Sequence, residues 1–270
     1  MSTQVKLSDH STAVDGAIDG GSEMLVLVHS ALLDRRMWDL FTQSLSPRLG
    51  TEWSILSYDL RGHGTAQNAP AVTDVGQLAA DLLDLTDEIS PDRPIHVLGL
   101  SLGGAIVQQA ALNRPERLSS LTVVASNPRF PYEAMRRRAQ LGPLGVAAEI
   151  DTTIERWLGP QNQIHGDPKV EYVRERLWQT SPQLWQDVWT ALGGFDALDQ
   201  LATVALPVLA IAGSEDTAAP PVNLELLAAT VPQGRAITLP GVGHLAALTH
   251  PDDLARATAP FLLSAIRTTA

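Results

Sequence analysis

Gly99-Leu100-Ser101-Leu102-Gly103-Gly104 joins one apolar run, Ile95–Leu100, to another, Leu102–Asn113. The first has the continuity of a strand buried on both faces. The second is apolar nearly all round, as a buried helix is. A strand that passes straight into a helix must turn within a residue or two. Bulk two positions before or after the turning residue would collide with the chain, so Gly99 and Gly103 flank Ser101 and leave its hydroxyl free at the strand's end. The Leu102 amide then falls at the helix N-terminus, where partial positive charge can stabilise an oxyanion. A plain glycine-rich turn of a doubly wound sheet is the competing reading.

The same rhythm extends on both sides. Met24–His29 and Trp53–Asp59 read as strands, with helical spacing of Met37, Trp38, Phe41 and Leu45 between them. Asp74–Ile89 is an amphipathic helix. Val75, Leu78, Ala79, Leu82 and Ile89 share one face, and Asp74 with Gln77 forms a capping box. Leu118–Ser126 is a strand, and then the alternation stops. Residues 127–198 are helical in pattern and rich in Arg and Trp. Strand Val208–Ser214, a helix near Asn223–Thr230, strand Ala236–Leu239 and a last helix from Pro251 restore it, with Pro260 expected to kink or end that helix. The first 20 or so residues suit an edge hairpin. The expectation is an α/β fold: a mostly parallel central sheet flanked by helices, its core built from residues 1–126 and 199–270, with a helical cap at 127–198.

A serine hydroxyl needs a base, and the base needs an orienting acid. Gly241-Val242-Gly243-His244 follows the last strand, so His244 can reach over the sheet edge to Ser101. The alternatives fit less well: His29 ends the strand leading to the loop of the second oxyanion donor, His63 lies in Asp59-Leu60-Arg61-Gly62-His63-Gly64 and reads as structural, and His10, His96, His165 and His250 have no matching context. Gly213-Ser214-Glu215-Asp216 closes strand Val208–Ser214 and supplies the acid, Asp216, with Glu215 as a solvated neighbour. The position after the preceding core strand, Ser126-Asn127-Pro128, holds no carboxylate. The loop His29-Ser30-Ala31-Leu32-Leu33 supplies the second oxyanion donor, the Ala31 amide, with Ser30 next.

The composition narrows the chemistry. The 270 residues contain no cysteine, which removes disulfides, thiolate metal sites and a thiol nucleophile. Thirty acidic against 19 basic side chains give −11, a surface that repels nucleic acid and anionic membranes. No apolar run has the length of a membrane span, and MSTQVKLSDH lacks the apolar block of a signal peptide; a cytoplasmic protein is expected. The histidines are scattered and no phosphate-binding loop is present, so neither a metal nor another cofactor is expected. Nothing in the sequence excludes a homo-oligomer.

The order Ser, Asp, His along the chain is that of the α/β-hydrolases, and the chain resembles that superfamily over nearly its whole length. Within it, the closest likeness is to 3-oxoadipate enol-lactonases. It rests on Leu27-Val28-His29-Ser30, Met37-Trp38-Asp39, Tyr58-Asp59-Leu60-Arg61-Gly62-His63-Gly64, Gly99–Gly104, Arg114-Pro115-Glu116-Arg117-Leu118, Arg156-Trp157-Leu158 and Ala219-Pro220-Pro221. The cap, from Arg129 to Phe195, departs more. The resemblance implies hydrolysis of an ester or lactone through an acyl-enzyme. Carbon–carbon bond hydrolysis, perhydrolysis and a slow hydrolase-fold binding protein are the alternatives. Enol-lactone substrates carry carboxylates. An inward arginine of Arg136-Arg137-Arg138 could bind one, with Arg136 and Arg137 taken as the contacts; a solvated basic face is the plainer reading. Of Trp157, Trp178, Trp185 and Trp189, Trp157 and Trp185 are taken to line an apolar pocket, against the alternative of packing between cap and core.

Overall fold

A hairpin opens the chain: β1 (Ser2–Lys6) pairs antiparallel with β2 (Ser11–Asp15). The computed structural model describes residues 2–18, 20–142, 146–159 and 166–266. After the hairpin come β3 (Glu23–Val28), α1 (Asp39–Leu49), β4 (Trp53–Tyr58), α2 (Val75–Ile89), β5 (Ile95–Leu100), α3 (Leu102–Asn113) and β6 (Leu118–Val124). Four helices follow among the described residues: α4 (Tyr132–Leu141), α5 (Ile150–Leu158), α6 (Pro168–Gln179) and α7 (Pro182–Gly193). The chain closes with β7 (Val208–Gly213), α8 (Pro221–Thr230), β8 (Gly234–Leu239), α9 (Ala246–Thr249) and α10 (Pro251–Ile266).

The eight strands form one sheet in the order β1-β2-β4-β3-β5-β6-β7-β8. From β4 to β8 every neighbouring pair is parallel; only the hairpin and its seam with β4 are antiparallel. Leu25, Val26, Leu27 and Val28 of β3 are wholly buried, as a strand covered on both faces requires. The apolar α3 is buried because it packs against β5 and β6 on one side and α2 on the other. All the parallel strands present their carboxyl ends to one edge, and in such sheets that edge is where ligands bind.

Two local expectations need correction. Pro260 does not end the last helix, which runs on to Ile266 with Phe261, Leu262 and Ala265 buried against the core. Apolar burial of that last turn outweighs the one backbone donor a proline lacks. The capping box at α2 is half formed. Asp74 accepts the Gln77 N–H at 2.8 Å, but the Gln77 amide oxygen accepts from Thr73, at 2.9 Å.

The helical insertion leaves and rejoins the sheet at one place. Arg129 and Asp196 form an isolated antiparallel bridge and an ion pair at 2.6 Å. Beside them, Ala197 donates to the Pro128 carbonyl at 2.9 Å and Phe130 to that of Phe195 at 3.3 Å. Inside the insertion, α4 packs on α7, where Trp185 meets Trp189 edge-on at 5.8 Å and donates its indole N–H to the Arg138 carbonyl at 2.6 Å. Tyr172 of α6 ties the insertion to the loop after β3, its hydroxyl 2.9 Å from Oδ1 of Asp34.

Candidate active site

Ser101 stands between β5 and α3 with φ 58°, a left-handed conformation that only glycine adopts without strain. The turn is held from several sides. The Ser101 N–H donates to the Val124 carbonyl at 3.0 Å, and its own carbonyl accepts from Ser126 Oγ at 2.7 Å and from the Ala105 N–H at 3.1 Å. The flanking glycines are sterically required. A Cβ on Gly99 would sit 2.1 Å from the Gly103 carbonyl oxygen, and one on Gly103 would sit 2.0 Å from that of Val28.

His244 and Asp216 meet beside this turn. Nδ1 of His244 lies 2.8 Å from Oδ2 of Asp216, and both residues are buried. The other carboxylate oxygen accepts the N–H groups of Ala218 and Ala219 at 2.8 and 3.0 Å. A carboxylate so engaged accepts from the ring, so Nδ1 carries the proton and Nε2 keeps a lone pair. Glu215, one residue earlier, is exposed. The His244 loop is fixed against the insertion, because Leu245 donates to the Trp157 carbonyl at 3.1 Å and the Trp157 indole stacks on the imidazole at 6.4 Å.

The loop after β3 is suspended from two buried histidines. Leu60 donates to Nε2 of His29 at 2.9 Å, so its Nδ1 is the protonated nitrogen and donates to the Ser30 carbonyl at 2.7 Å. In the same way His63 accepts the Leu32 N–H on Nε2, at 3.1 Å, and donates from Nδ1 to the Arg61 carbonyl, at 2.8 Å. Burial lowers the pKa of both rings, that of His63 to about 3, so they stay neutral. Along this loop Ser30 donates to the Met37 sulfur, Leu32 to His63 and Leu33 to Ser30. The amides of Ala31 and of Leu102, the first residue of α3, have no partner among the described residues. Buried amides without partners are rare and ask for an acceptor.

Ser101, His244 and Trp157 line one cavity of about 320 Å³, together with Asn127, Phe130, Met135, Arg138, Trp189 and Asn223. Arg136 and Arg137 do not line it. They are exposed, and Arg136 pairs with Glu133 at 2.8 Å. The reason is helical phase: Met135 and Ala139 are the buried residues of α4, and Arg138 flanks that face while its two neighbours turn to solvent. Trp185 is buried in the α4–α7 packing rather than in the cavity wall, Trp189 takes the place expected of it, and Trp178 is 61% exposed. Ser30 is fully buried and is not part of the cavity wall. His165 lies outside the described residues.

Asn127 and Asn223 were not singled out by sequence. Asn223 donates to Oδ1 of Asn127 at 2.8 Å, giving the cavity a polar floor. Asn127 stands just past β6, at the same sheet edge as Ser101, and that position was the available signal. The one cluster of carboxylates and histidine close enough to hold a metal among the described residues is Asp9, His10 and Asp81. Arg61 forks across it, donating to both carboxylates at 2.6–2.9 Å.

The chain belongs to the alpha/beta hydrolase family, whose pattern it matches over residues 25–257. It is 30% identical over 240 residues to a pimeloyl-[acyl-carrier protein] methyl ester esterase of Aeromonas hydrophila, covering 84% of this chain and 90% of that one. It is 27% identical over 194 residues to 3-oxoadipate enol-lactonase 1 of Acinetobacter baylyi, covering 71% of each. Among solved structures, the enol-lactonase from Burkholderia xenovorans LB400 superposes with a TM-score of 0.88 at 23% identity, over 97% of this chain and all of that one, a likeness of fold. No helix among the described residues is long and apolar enough to cross a membrane.

Proposed function

We propose that this α/β-hydrolase cleaves carboxylic esters, lactones among them, through an acyl-enzyme on Ser101. The observation that carries the reading is the convergence of a strained, glycine-flanked serine and an Asp-held histidine on one cavity. His244 Nε2 takes the proton from Ser101 Oγ as that oxygen bonds to the substrate carbonyl carbon. The carbonyl oxygen becomes an oxyanion and accepts from the Leu102 and Ala31 amides, whose removal typically costs about 10²–10³ in rate for one such donor. The bond to the alkoxy oxygen then breaks, and that oxygen receives the proton from His244. Water repeats the sequence on the acyl-enzyme, giving a carboxylic acid and free Ser101. In a lactone the alcohol stays tethered to the acyl group until that second half. Residues 127–198 act as a cap that closes the cavity over the sheet edge.

A fluorophosphonate probe tests this directly. The expected result is stoichiometric labelling of Ser101, lost in a folded Ser101→Ala variant, with hydrolysis of p-nitrophenyl esters lost in parallel. Labelling at another serine in that variant would remove Ser101 from the role.

A further inference from the structure

Asp34 stands three residues beyond Ala31, and α6 of the insertion grips it from two positions one helical turn apart. Tyr172 donates its hydroxyl proton to Oδ1 of Asp34 at 2.9 Å and accepts the Asp34 backbone N–H at 3.2 Å. Arg176 brings its Nε to 3.2 Å from Oδ2 without a hydrogen bond, so it acts there as a charge. Asp34 is buried, and it also binds the Arg36 N–H at 3.1 Å and the Arg36 guanidinium at 2.8 Å. Burial raises the pKa of Asp34, but Arg36 and Arg176 pull it below the ordinary value, so Asp34 is a carboxylate and Tyr172 the donor. The Arg36 guanidinium in turn lies 5.3 Å over the Tyr172 ring.

The loop before Asp34 needs such holding. Leu32 has φ 62°, at the third position of a turn closed by the Leu33 N–H on the Ser30 carbonyl at 3.4 Å. Glycine takes that position without strain, and another residue stays there only where its surroundings force it. His63 fixes Leu32 from the core, while Tyr172 and Arg176 fix Asp34 from the insertion. A cavity of about 180 Å³, lined by Leu32, His63 and Arg176, leaves the loop room to shift once released. The Ala31 amide, assigned above as an oxyanion donor, directly precedes the strained residue. Neither Tyr172 nor Arg176 lines the cavity that holds Ser101 and His244, so their effect on a substrate there must pass through the loop.

We infer that Tyr172 and Arg176 are positioning residues for ester cleavage, holding the Ala31 amide at the oxyanion through Asp34. The site is then complete only while α6 is docked on the loop after β3. A misplacement of about 1 Å costs a reaction about 10²-fold, so a small release of the loop is enough to be read in the rate. This rests on the ester-hydrolase reading above and adds to it two residues outside the cavity.

An alkyl trifluoromethyl ketone reads the oxyanion directly. Ser101 Oγ bonds to its carbonyl carbon, the π electron pair moves onto the carbonyl oxygen, and the hydroxyl proton passes to His244 Nε2. That oxygen then accepts from the same amides as the reaction's oxyanion. The corresponding secondary alcohol cannot form the adduct and reports binding in the cavity alone. Tyr172→Phe, which keeps the ring beside Arg36, should weaken the ketone by about 10- to 100-fold. It should lower kcat/KM for a p-nitrophenyl ester by the same factor and leave the affinity of the alcohol unchanged. Arg176→Gln should act in the same direction, with recovery in Arg176→Lys, which keeps the charge. Arg174→Gln, on the same helix but paired with Asp151, should change none of the three. A Tyr172→Phe variant with wild-type ketone affinity and kcat/KM, or one that weakens ketone and alcohol alike, overturns the role. If that variant does not fold, the two Arg176 variants decide by the same comparison. A wild-type protein that binds the ketone no better than the alcohol overturns the inference if a fluorophosphonate still labels Ser101. Without that labelling, the same result removes the ester-hydrolase reading instead.

Discussion

Leu32 gives its backbone N–H to Nε2 of His63 across 3.1 Å, and in doing so hangs the loop that carries Ala31 from a ring on the next strand's loop. The bond exists only while that nitrogen is unprotonated. His29, whose ring lies 5.1 Å from that of His63, holds the same loop by donating from Nδ1 to the Ser30 carbonyl, and its Nε2 accepts the Leu60 N–H, the bond that protonation would break.

Acid should therefore loosen the loop that carries Ala31. The folded pKa of His63, about 3, lies below its ordinary value of 6.5, so the folded protein binds fewer protons than the unfolded one. The stability this confers is complete above about pH 6.5 and drains as pH falls toward 3, by up to about 1.4 kcal/mol per pH unit for the histidine concerned. Urea unfolding at pH 7.5, 6, 5 and 4 should show that decline. His63→Gln, which keeps an acceptor but cannot take a proton, should flatten it. An unchanged slope in the variant would assign the acid sensitivity to other groups.

Asp216→Asn should lower kcat by about 10³–10⁴ while the melting temperature changes little, because the amide no longer enforces the Nδ1–H tautomer. Glu215→Gln should stay within about twofold of wild type, since an exposed rim charge contributes little. Steady-state kinetics on a p-nitrophenyl ester, with circular dichroism for the fold, separates the two. A large loss at Glu215 and a small one at Asp216 would reverse the assignment of the acid.

Two glycine-to-alanine exchanges should differ for different physical reasons. At Gly103 the new methyl meets the Val28 carbonyl oxygen at 2.0 Å, which neither strand nor helix can yield without moving the turn. The cost should exceed about 3 kcal/mol, and the serine should lose its reactivity. At Gly50, after α1, φ is 84° and nothing lies within 4 Å of the added methyl. Only the backbone strain of φ 84° with ψ −176° remains there, about 1–3 kcal/mol. Thermal denaturation of the two variants measures the contrast, and equal losses would show that strain rather than collision governs Gly103.

The parallel core was legible because each buried strand is a short apolar run and each helix has its own period. The Ile95–Leu100 and Leu102–Asn113 elements fall on the residues that the sequence marks. Of the site, Ser101 and His244 line one cavity, and Asp216 lies against His244, because strand-end loops project to one edge in this topology; Trp157 reaches the same cavity from α5. The helical insertion was less legible. Three consecutive arginines spread over about 200° of helix, and composition alone does not say which one faces inward. Met135 and Ala139, buried one turn apart, set that phase and select Arg138. Trp185 and Trp189, likewise one turn apart on α7, divide between packing and cavity through the fit of α7 against α4, which only tertiary structure reveals.

The Arg129–Asp196 bridge brings the two ends of a 66-residue excursion together beside the sheet. A segment that departs and returns through a single doorway is, in engineering terms, a plug-in. Its internal packing should be open to change while the strand registers stay as they are, provided the contacts of Trp157 with the His244 loop and of Tyr172 with Asp34 are kept. Substrate preference is then expected to follow the insertion, with the Trp157 contacts to the His244 loop kept. Transplanting the lid of another hydrolase at Pro128 and Ala197 should carry a new preference onto the same reaction.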